Sequence, residues 1–358
     1  MRSMNLADPR ERRARDPSGM LELILRLPEM CAEAWALPVQ PSPPALRPAQ
    51  IIALGMGGSG IGGDLLRAVL HDEASMPVMA IKEYRPPAFV GPECLVFACS
   101  YSGNTEETLA AYDEASARGA SCVVITSGGE LLRRAEARRH PAVVVPPGLP
   151  PRAALPYLFL PMLAILSRAG IVRSFDAEVG ETVAGLRRIL GRLGPEGADP
   201  EARALAGALV GRIPVVYSST PFLEPAAQRW KDQFNENAKT FAVWNTFPEL
   251  NHNETVGWGL DPALARTLYV IVLRDPSEPA RLARRVEITK DLAFRKAAGV
   301  AEVAGEGEGK LCRLMSPIAY GDLVSWYLAL QRGVDPTPVA VIDELKQRLA
   351  ASASGGPP

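Results

Sequence analysis

The sequence predicts an α/β protein of two doubly wound domains in tandem, each with a parallel sheet covered by helices. Its 358 residues are the length of about two domains. Runs that are almost continuously apolar, such as 94–99 and 213–218, alternate with helical stretches, which is typical of parallel strands buried on both faces. The series also occurs twice, with first strands that begin at Ile51 and Ile213.

The first half of the chain alternates regularly between predicted strands and helices. Apolar runs predict strands at 51–55, 77–84, 94–99, 121–126 and 142–145. Helical stretches fill about 61–71, 105–118, 130–138 and 153–169. The long apolar helix at 153–169 closes this unit, so we assign 48–171 to the first domain.

The second half repeats the alternation. Strands are predicted at 213–218, 241–247, 267–273 and 300–304. Helices are predicted at about 201–210, 224–239, 278–295, 316–331 and 339–350. We assign 201–350 to the second domain with its C-terminal helix. The Gly- and Arg-rich segment 172–200 is predicted to connect the two domains.

The flanking segments have a different composition. An Arg-rich polar stretch predicts a disordered tail over 1–19, and a second disordered tail is predicted over 351–358. Between the first tail and the first domain, 20–47 is predicted to hold an amphipathic helix, from about Met20 to Trp35, and a Pro-rich linker.

Composition excludes several classes of function. A net charge of −1 gives no reason to expect a nucleic-acid or membrane-surface partner. The longest apolar run, from Ala153 to Leu166, is too short to span a bilayer. The five Cys form no C-x-x-C pair, which argues against structural zinc and a disulfide framework. We therefore expect a cytoplasmic protein without a metal, whose thiols are reduced and mostly buried.

A glycine-rich turn follows the first predicted strand. In the run from Gly55 to Gly63, backbone N–H groups can approach an anion closely, and the helix that follows directs its positive end to the same point. Ser59 adds a hydroxyl donor. The spacing of Gly55, Gly57 and Gly60, with Glu83 after the second strand, also fits a dinucleotide fingerprint, and a tight turn without a ligand is a third interpretation.

A second polar loop, 100–108, follows the third predicted strand and opens a helix. Asn104 and Glu107 could form a simple capping box. Capping needs one oxygen, however, whereas the hydroxyl groups of Ser100, Ser102 and Thr105 also cluster here with the Asn104 amide. Several hydroxyls at a helix start suit the oxygens of a phosphate monoester, so this loop favours a sugar phosphate over a dinucleotide.

Three further segments carry candidate catalytic groups. Arg152 lies where an apolar helix begins, and it either stabilises an oxyanion in a cleft or is a solvated charge at a domain edge. Five of the seven Asn lie between 235 and 253, together with Glu236 and His252. Asn235 and Asn237 are predicted to fix the Glu236 carboxylate with neutral hydrogen bonds, while His252 supplies a proton shuttle.

Lys346 is the last candidate. The chain has only seven Lys among its 39 basic residues, so a Lys near the end of the fold could mark a place where a compact ammonium is required. A solvated helix face explains the same residue.

These motifs, in this order, resemble the bifunctional phosphoglucose/phosphomannose isomerase family, which is built of two sugar-isomerase (SIS) domains. The resemblance covers about 20–350. It rests on the blocks GMGGSGIGGDL, SYSGNTEETL, PRAALP, FNENAK, PELNHNE and GVDPTP with IDELK.

The resemblance implies isomerisation of glucose 6-phosphate or mannose 6-phosphate with fructose 6-phosphate, without metal or organic cofactor. It implies that Glu236 is the base, that His252 with Lys346 assists ring opening, and that Arg152 stabilises a cis-enediolate. The implied ligands of the phosphate and sugar are Gly57, Gly58, Ser59, Ser100, Ser102 and Thr105. It also implies a homodimer in which His252 can reach the neighbouring subunit's site.

Other functions stay open at this point. A non-catalytic sugar-phosphate-binding regulator would keep the serine loop without the carboxylate and His. A dinucleotide-dependent oxidoreductase would use Gly55, Gly57, Gly60 and Glu83. Transfer of an amide nitrogen to a sugar phosphate is disfavoured because the sequence has no N-terminal nucleophilic Cys.

Overall fold

The structure is a computed structural model that describes residues 8–42 and 47–354. It confirms the predicted fold class, because two parallel sheets follow one another along the chain and helices cover both. Within the described residues, none of the helices combines the length and the apolar character needed to cross a membrane.

The N-terminal segment is helical, with α1 (Pro9–Arg15), α2 (Met20–Leu25) and α3 (Leu27–Ala36). The predicted disordered tail over 1–19 is therefore wrong from residue 8 onward, and 1–7 lie outside the described residues. The buried carboxylate of Asp16 explains this order. It accepts hydrogen bonds from the backbone N–H groups of Met20 and Leu21 and from Nε1 of Trp326, far along the chain.

The predicted helix from Met20 to Trp35 is broken at Arg26. Pro28 has no N–H to continue the hydrogen-bond ladder of α2, so α3 starts a new helix. In the Pro-rich linker, Gln40 forms an antiparallel bridge with Ala142. Residues 43–46 of that linker lie outside the described residues.

The first domain has a five-stranded parallel sheet in the order β2-β1-β3-β4-β5. Its strands are β1 (Gln50–Leu54), β2 (Val78–Ile81), β3 (Cys94–Cys99), β4 (Ser121–Thr126) and β5 (Ala142–Val144). Its helices are α4 (Gly57–Leu70), α5 (Glu106–Ala117), α6 (Gly129–Arg138) and α7 (Leu155–Arg168). β1 and β3 lie side by side, so the loops that follow them meet at the same edge of the sheet.

The predicted connection over 172–200 contains a long helix, α8 (Asp176–Leu193). Gly and Arg residues there favoured a linker, but apolar residues recur on one face and are buried against α3 and α14 (Lys310–Arg332). The segment therefore belongs to the packed body of the protein and is not a free linker.

The second domain has a four-stranded parallel sheet in the order β7-β6-β8-β9. Its strands are β6 (Ile213–Ser218), β7 (Val243–Thr246), β8 (Leu268–Arg274) and β9 (Gly299–Ala304). Besides α14, its helices are α9 (Glu201–Leu209), α10 (Glu224–Glu236), α11 (Glu254–Gly257), α12 (Pro262–Ala265), α13 (Ala280–Leu292) and α15 (Ala340–Ser354).

The last helix, α15, extends beyond its predicted end. It continues through Ser354, so the predicted tail over 351–358 is wrong up to that residue, and 355–358 lie outside the described residues. One face of α15 carries exposed apolar side chains. These are Val341, Ile342, Leu345 and Leu349.

The two domains share one hydrophobic core. Leu158 on α7, Leu186 on α8 and Leu323 on α14 belong to the same continuous cluster of buried side chains. All five Cys are free and buried, as predicted, and burial raises the pKa of Cys99 to about 12. The shared core fixes the end of α10 against the first domain, where the candidate residues meet.

Candidate active site

The glycine-rich turn between β1 and α4 lies at the carboxyl end of the first sheet. Gly58 packs against the next motif, because a Cβ there would lie 2.9 Å from the carbonyl oxygen of Pro151. Gly57 has a left-handed φ of 52°, and a Cβ on it would face open space. No side chain caps the start of α4, a helix of 14 residues. Such an open N-terminus suits an anion.

Ser59 joins this turn to the second loop. Its side chain is buried, and its Oγ accepts a hydrogen bond of 3.1 Å from the backbone N–H of Tyr101. The two loops converge because β1 and β3 are neighbours in the sheet. The structure therefore brings together the two segments that the sequence associates with a phosphate.

The second loop leaves the start of α5 open. Thr105 is the N-cap residue, yet its hydroxyl pairs with Ser100 Oγ at 2.9 Å and does not cap the helix. Asn104 does not form the capping box with Glu107 either, because its Oδ1 accepts from the backbone N–H of Glu130 at 3.0 Å. Side-chain capping is thus the wrong interpretation of this motif, and the first-turn N–H groups of α5 stay available.

Gly103 sets the shape of the second loop. Its φ is 69°, and a Cβ there would lie 1.8 Å from the carbonyl oxygen of Gly128, so the loop after β3 packs directly on the loop after β4. Beside it, Ser102 is exposed and its Oγ accepts from the backbone N–H of Asn104 at 3.2 Å.

Arg152 is buried and fully engaged, which excludes the solvated-charge interpretation. It lies on a short 3₁₀ turn before α7, and its Nε donates to Oδ1 of Asn237 at 2.7 Å. One of its terminal nitrogens donates to the carbonyl oxygens of Pro336 and Thr337, each at 2.8 Å. The other terminal nitrogen lies 3.4 Å from a carboxylate oxygen of Glu236.

Glu236 is the last residue of α10 and lies at the domain boundary. Burial raises the pKa of its carboxyl group, and the positive charge of Arg152 opposes that effect. The carboxylate is partly buried, so a small molecule can still reach it. A carboxylate of raised basicity beside a fixed guanidinium suits proton transfer next to a developing oxyanion.

The two amides that flank Glu236 have other roles than predicted. Asn237 is buried, and its Oδ1 accepts the hydrogen bond from Nε of Arg152. Its Nδ2 donates to Ser325 Oγ at 3.0 Å, so the amide holds the guanidinium in place. Asn235 Oδ1 is buried without a hydrogen-bond partner among the described residues. The prediction that both amides fix the carboxylate is wrong, since neither hydrogen-bonds to it in the described structure.

Neither His252 nor Lys346 forms a hydrogen bond or an ion pair with Glu236 in the described structure. His252 ends a 3₁₀ turn (Glu249–His252) and is exposed, and its side chain makes no hydrogen bond or ion pair with any described residue. Lys346 lies on the exposed α15 and is likewise unpaired within the part of the chain that the structure describes.

Further residues support the site from α10 and α14. Arg229 donates to the backbone carbonyl of Arg152 at 3.0 Å and to the buried carboxylate of Asp322 at 2.7 Å. Gln233 donates to the other oxygen of Asp322 at 2.8 Å. Arg229, Gln233 and Asn237 follow one another at intervals of four, so one buried face of α10 is polar. We call this row the α10 polar ladder, and polar spacing of this kind could have revealed it in the sequence.

The groups of the alternative functions are arranged differently. Glu83, which a dinucleotide site would use, is exposed after β2 and has no hydrogen bond to a described residue. Among residues 8–42 and 47–354, no three His, Cys, Asp or Glu side chains lie close enough to hold a metal ion.

Two protein-family models match this chain. Residues 47–144 match the family model described as SIS domain. Residues 198–349 match the model described as bacterial phospho-glucose isomerase C-terminal SIS domain. The two matches agree with the two sheets of the fold.

Full-length relatives carry a more specific name. A protein of Caldicellulosiruptor bescii named bifunctional phosphoglucose/phosphomannose isomerase is 40% identical over 337 residues, which cover 92% of this chain and 99% of the relative. A protein of the same name from Aquifex aeolicus is 36% identical over 304 residues, covering 85% and 91%. Among solved structures, the C-terminal domain of glucosamine-fructose-6-phosphate aminotransferase from Francisella tularensis has a TM-score of 0.70 at 14% identity, covering 89% and 98%, which shows a shared fold.

Proposed function

Because the chain belongs to the bifunctional phosphoglucose/phosphomannose isomerase family, we propose that it interconverts glucose 6-phosphate and mannose 6-phosphate with fructose 6-phosphate. The observation that carries this proposal is the contact of 3.4 Å between the buried guanidinium of Arg152 and the Glu236 carboxylate. Arg152 lies directly after Pro151, against which the first phosphate loop packs. A base and a fixed positive charge therefore lie beside an anion-binding edge.

In the proposed complex, the two loops of the first domain hold the 6-phosphate. The open N-termini of α4 and α5 direct backbone N–H groups to its oxygens. Ser59, Ser100, Ser102 and Thr105 supply hydroxyl groups, and Gly57 and Gly58 let the backbone approach closely. Neutral donors that converge from two helix starts suit a compact dianion.

Glu236 is the proposed base of the isomerisation. Its carboxylate removes the C2 proton of the open-chain aldose, and the electron pair of that C–H bond forms the C1–C2 double bond while the C1=O π bond opens to leave the negative charge of a cis-enediolate on O1. The same carboxyl group returns the proton to C1, and O1 takes up the proton that O2 loses as the C2=O bond forms, which gives the ketose. Arg152 stabilises the negative charge on the enediolate oxygen during both steps. The hydrogen atom moves within the substrate, so the reaction needs neither oxidant nor reductant.

His252 and Lys346 are proposed to assist ring opening, and we propose that a homodimer brings them to the site. Opening the ring requires a proton at the ring oxygen and loss of a proton from the anomeric hydroxyl. Both side chains are exposed in one subunit, and α15 carries Lys346 beside an exposed apolar face. Burial of that face against a second subunit would complete the acid–base set.

The cytoplasm is the proposed location.

The alternatives lose support from the same geometry. A sugar-phosphate sensor needs no carboxylate of raised pKa beside a buried guanidinium. A dinucleotide-dependent oxidoreductase would use Glu83, which is exposed after β2, whereas the serine loop follows β3 on the other side of β1. A titration with NADH distinguishes an oxidoreductase from a sugar-phosphate isomerase, because a sugar-phosphate site should give no saturable binding signal.

Glu236→Gln tests the proposed function. We expect turnover of each aldose 6-phosphate to fall by about 10² or more, while binding of the sugar phosphate survives, because the amide keeps the shape and loses the base. Activity is measured in a coupled assay and binding by calorimetry. Glu136→Gln, an exposed carboxylate on α6, is the matched control and should retain full activity. Near-normal turnover of Glu236→Gln would contradict the base assignment.

A further inference from the structure

Lys239 lies three residues beyond Glu236 and binds the end of the same helix. Its Nζ donates to the carbonyl oxygen of Glu236 at 2.7 Å and, more weakly, to that of Asn237 at 3.4 Å. Carbonyl groups at a helix C-terminus lack partners within the helix, and a cation there is favourable. Lys239 therefore fixes the turn from which the Glu236 side chain projects.

The same ammonium reaches a third element. It donates to the carbonyl oxygen of Pro336 at 3.0 Å, and that oxygen also accepts from Arg152 at 2.8 Å. Pro336 belongs to the segment that leads from α14 into α15, the helix of Lys346. Two cations from different domains thus hold one carbonyl group between the end of α10 and the start of α15.

The backbone of Lys239 shows that a turn alone does not explain the residue. Its φ is 50°, and Arg139 (φ 56°) is the only other non-glycine residue with positive φ in the part of the chain that the structure describes. Glycine adopts this conformation without a steric penalty. A Lys at this position keeps a side chain that the turn itself does not need, and all three of its polar contacts lie around the candidate base.

The charges around Lys239 are mixed. Burial lowers its pKa to about 8, Arg152 acts in the same direction, and Asp335 and Glu236 oppose them. From α14, Arg332 donates to the backbone carbonyl of Lys239 at 2.9 Å. The positive charge of Lys239 in turn lowers the pKa of Glu236.

We propose that Lys239 is a positioning residue of the isomerase, whose ammonium ties the end of α10 to Pro336 and so holds Glu236 in a fixed relation to Arg152 and to the start of α15. It acts through these groups and does not itself touch the substrate. The inference rests on the proposed role of Glu236 as the base.

The test compares Lys239→Gly, Lys239→Met and Lys239→Arg. Gly keeps the left-handed turn and removes the ammonium, so we expect it to fold and to lower kcat by about 10-fold or more, because a small displacement of the base is costly. KM should change by less than about 3-fold, since the phosphate loops are untouched. Arg, which can still donate to several carbonyl groups, should recover most of the turnover. The matched control, Arg139→Gly, removes the other left-handed cation and should leave kcat unchanged.

The pH dependence of kcat/KM provides a second test, because loss of a purely structural residue would not shift its acidic limb. Without the charge of Lys239 the pKa of Glu236 rises, so the acidic limb of kcat/KM should shift to higher pH in the Gly and Met variants and stay in place in the Arg variant. Wild-type kcat and an unshifted limb in Lys239→Gly would overturn the proposal. So would equal losses in Lys239→Gly and Arg139→Gly, or in the Arg and Met variants.

Glu236→Gln, measured in parallel, distinguishes a failure of the proposed base from a failure of the proposed positioning residue. If that variant stays active, the proposed base is wrong whatever Lys239 does. If Glu236→Gln is inactive while Lys239→Gly is fully active, the base assignment stands and only the positioning role of Lys239 is lost.

Discussion

The guanidinium of Arg152 crosses the domain boundary and donates through Nε to the amide oxygen of Asn237, 2.7 Å away. Asn237 is itself held by Ser325 on α14, so the acceptor cannot turn aside. Because Nε and one terminal nitrogen are occupied by fixed partners, the remaining nitrogen is directed to Glu236. A residue of the first domain is thus oriented by the second, and Glu236 and its counter-charge Arg152 keep a defined geometry.

The pH dependence of activity follows from this geometry. The proposed base acts in its deprotonated form, so kcat/KM should fall as the pH drops through the pKa of Glu236, which burial raises above its ordinary value. Removing the positive charge in Arg152→Met raises that pKa further, so the acidic limb should move to higher pH. Kinetics with glucose 6-phosphate across the acidic range measure the shift. A limb that stays in place or moves to lower pH would contradict the coupling.

The Arg229–Asp322 pair should dominate the stability of the α10 polar ladder. Both side chains are buried, and Asp322→Ala leaves the guanidinium without its counter-charge, which we expect to cost about 3–5 kcal/mol of unfolding free energy. Denaturant unfolding measures the loss. Glu29→Ala removes one partner of the exposed Arg187–Glu29 pair and should change stability by at most about 1 kcal/mol. Equal effects of the two substitutions would refute the special role of the buried pair.

Gly103 should be essential to the loop after β3, which is proposed to bind the phosphate. In Gly103→Ala the new methyl group meets the carbonyl oxygen of Gly128, and the positive φ is strained as well, so the loop must move away from its position. We expect KM for the sugar phosphates to rise by about 10-fold or more, the equivalent of losing one strong hydrogen bond to a charged group. Gly170→Ala has a similar φ of 66° but open space around the added carbon, so it controls for strain alone. Similar KM values in the two variants would argue against the loop contact.

Leu345 should report the proposed dimer. It is 57% exposed on α15, and a Glu in its place would have to be buried if this face packs on a second subunit. We expect Leu345→Glu to shift the protein from dimer to monomer in sedimentation analysis and to lose isomerase activity. Val210→Glu replaces another exposed apolar residue, 46% exposed at the end of α9, and should change neither property. A wild type that sediments as a monomer would remove the proposed source of the second acid–base pair.

Most of the fold could be predicted because burial and periodicity are local signals. The strand Cys94–Cys99 is buried at every position, and that is why it reads as an unbroken apolar run. The order of the N-terminal segment could not be predicted in the same way. It depends on Asp16 reaching Trp326, and a contact over more than three hundred residues leaves no local pattern.

The site also contains features with a local sequence signal and features that depend on distant contacts. The convergence of the two loops that are proposed to bind the phosphate could be predicted, since segments that follow neighbouring parallel strands meet by topology alone. The function of Asn237 could not, because its partner Arg152 lies in the other domain. Asp322 was missed because α14 around it is almost entirely apolar, and a single acid there has no sequence signature. The places of His252 and Lys346 in the site stay predictions.

The contact between Asp16 and Trp326 has a consequence for how the protein can be divided. A cut in the segment between the two sheets would leave α1 and α2 attached to the first fragment, although Asp16 is bonded to a helix of the second. Each fragment would expose surface that the other now covers. The two domains should therefore melt in a single calorimetric transition and should not be recoverable as separate stable fragments after limited proteolysis.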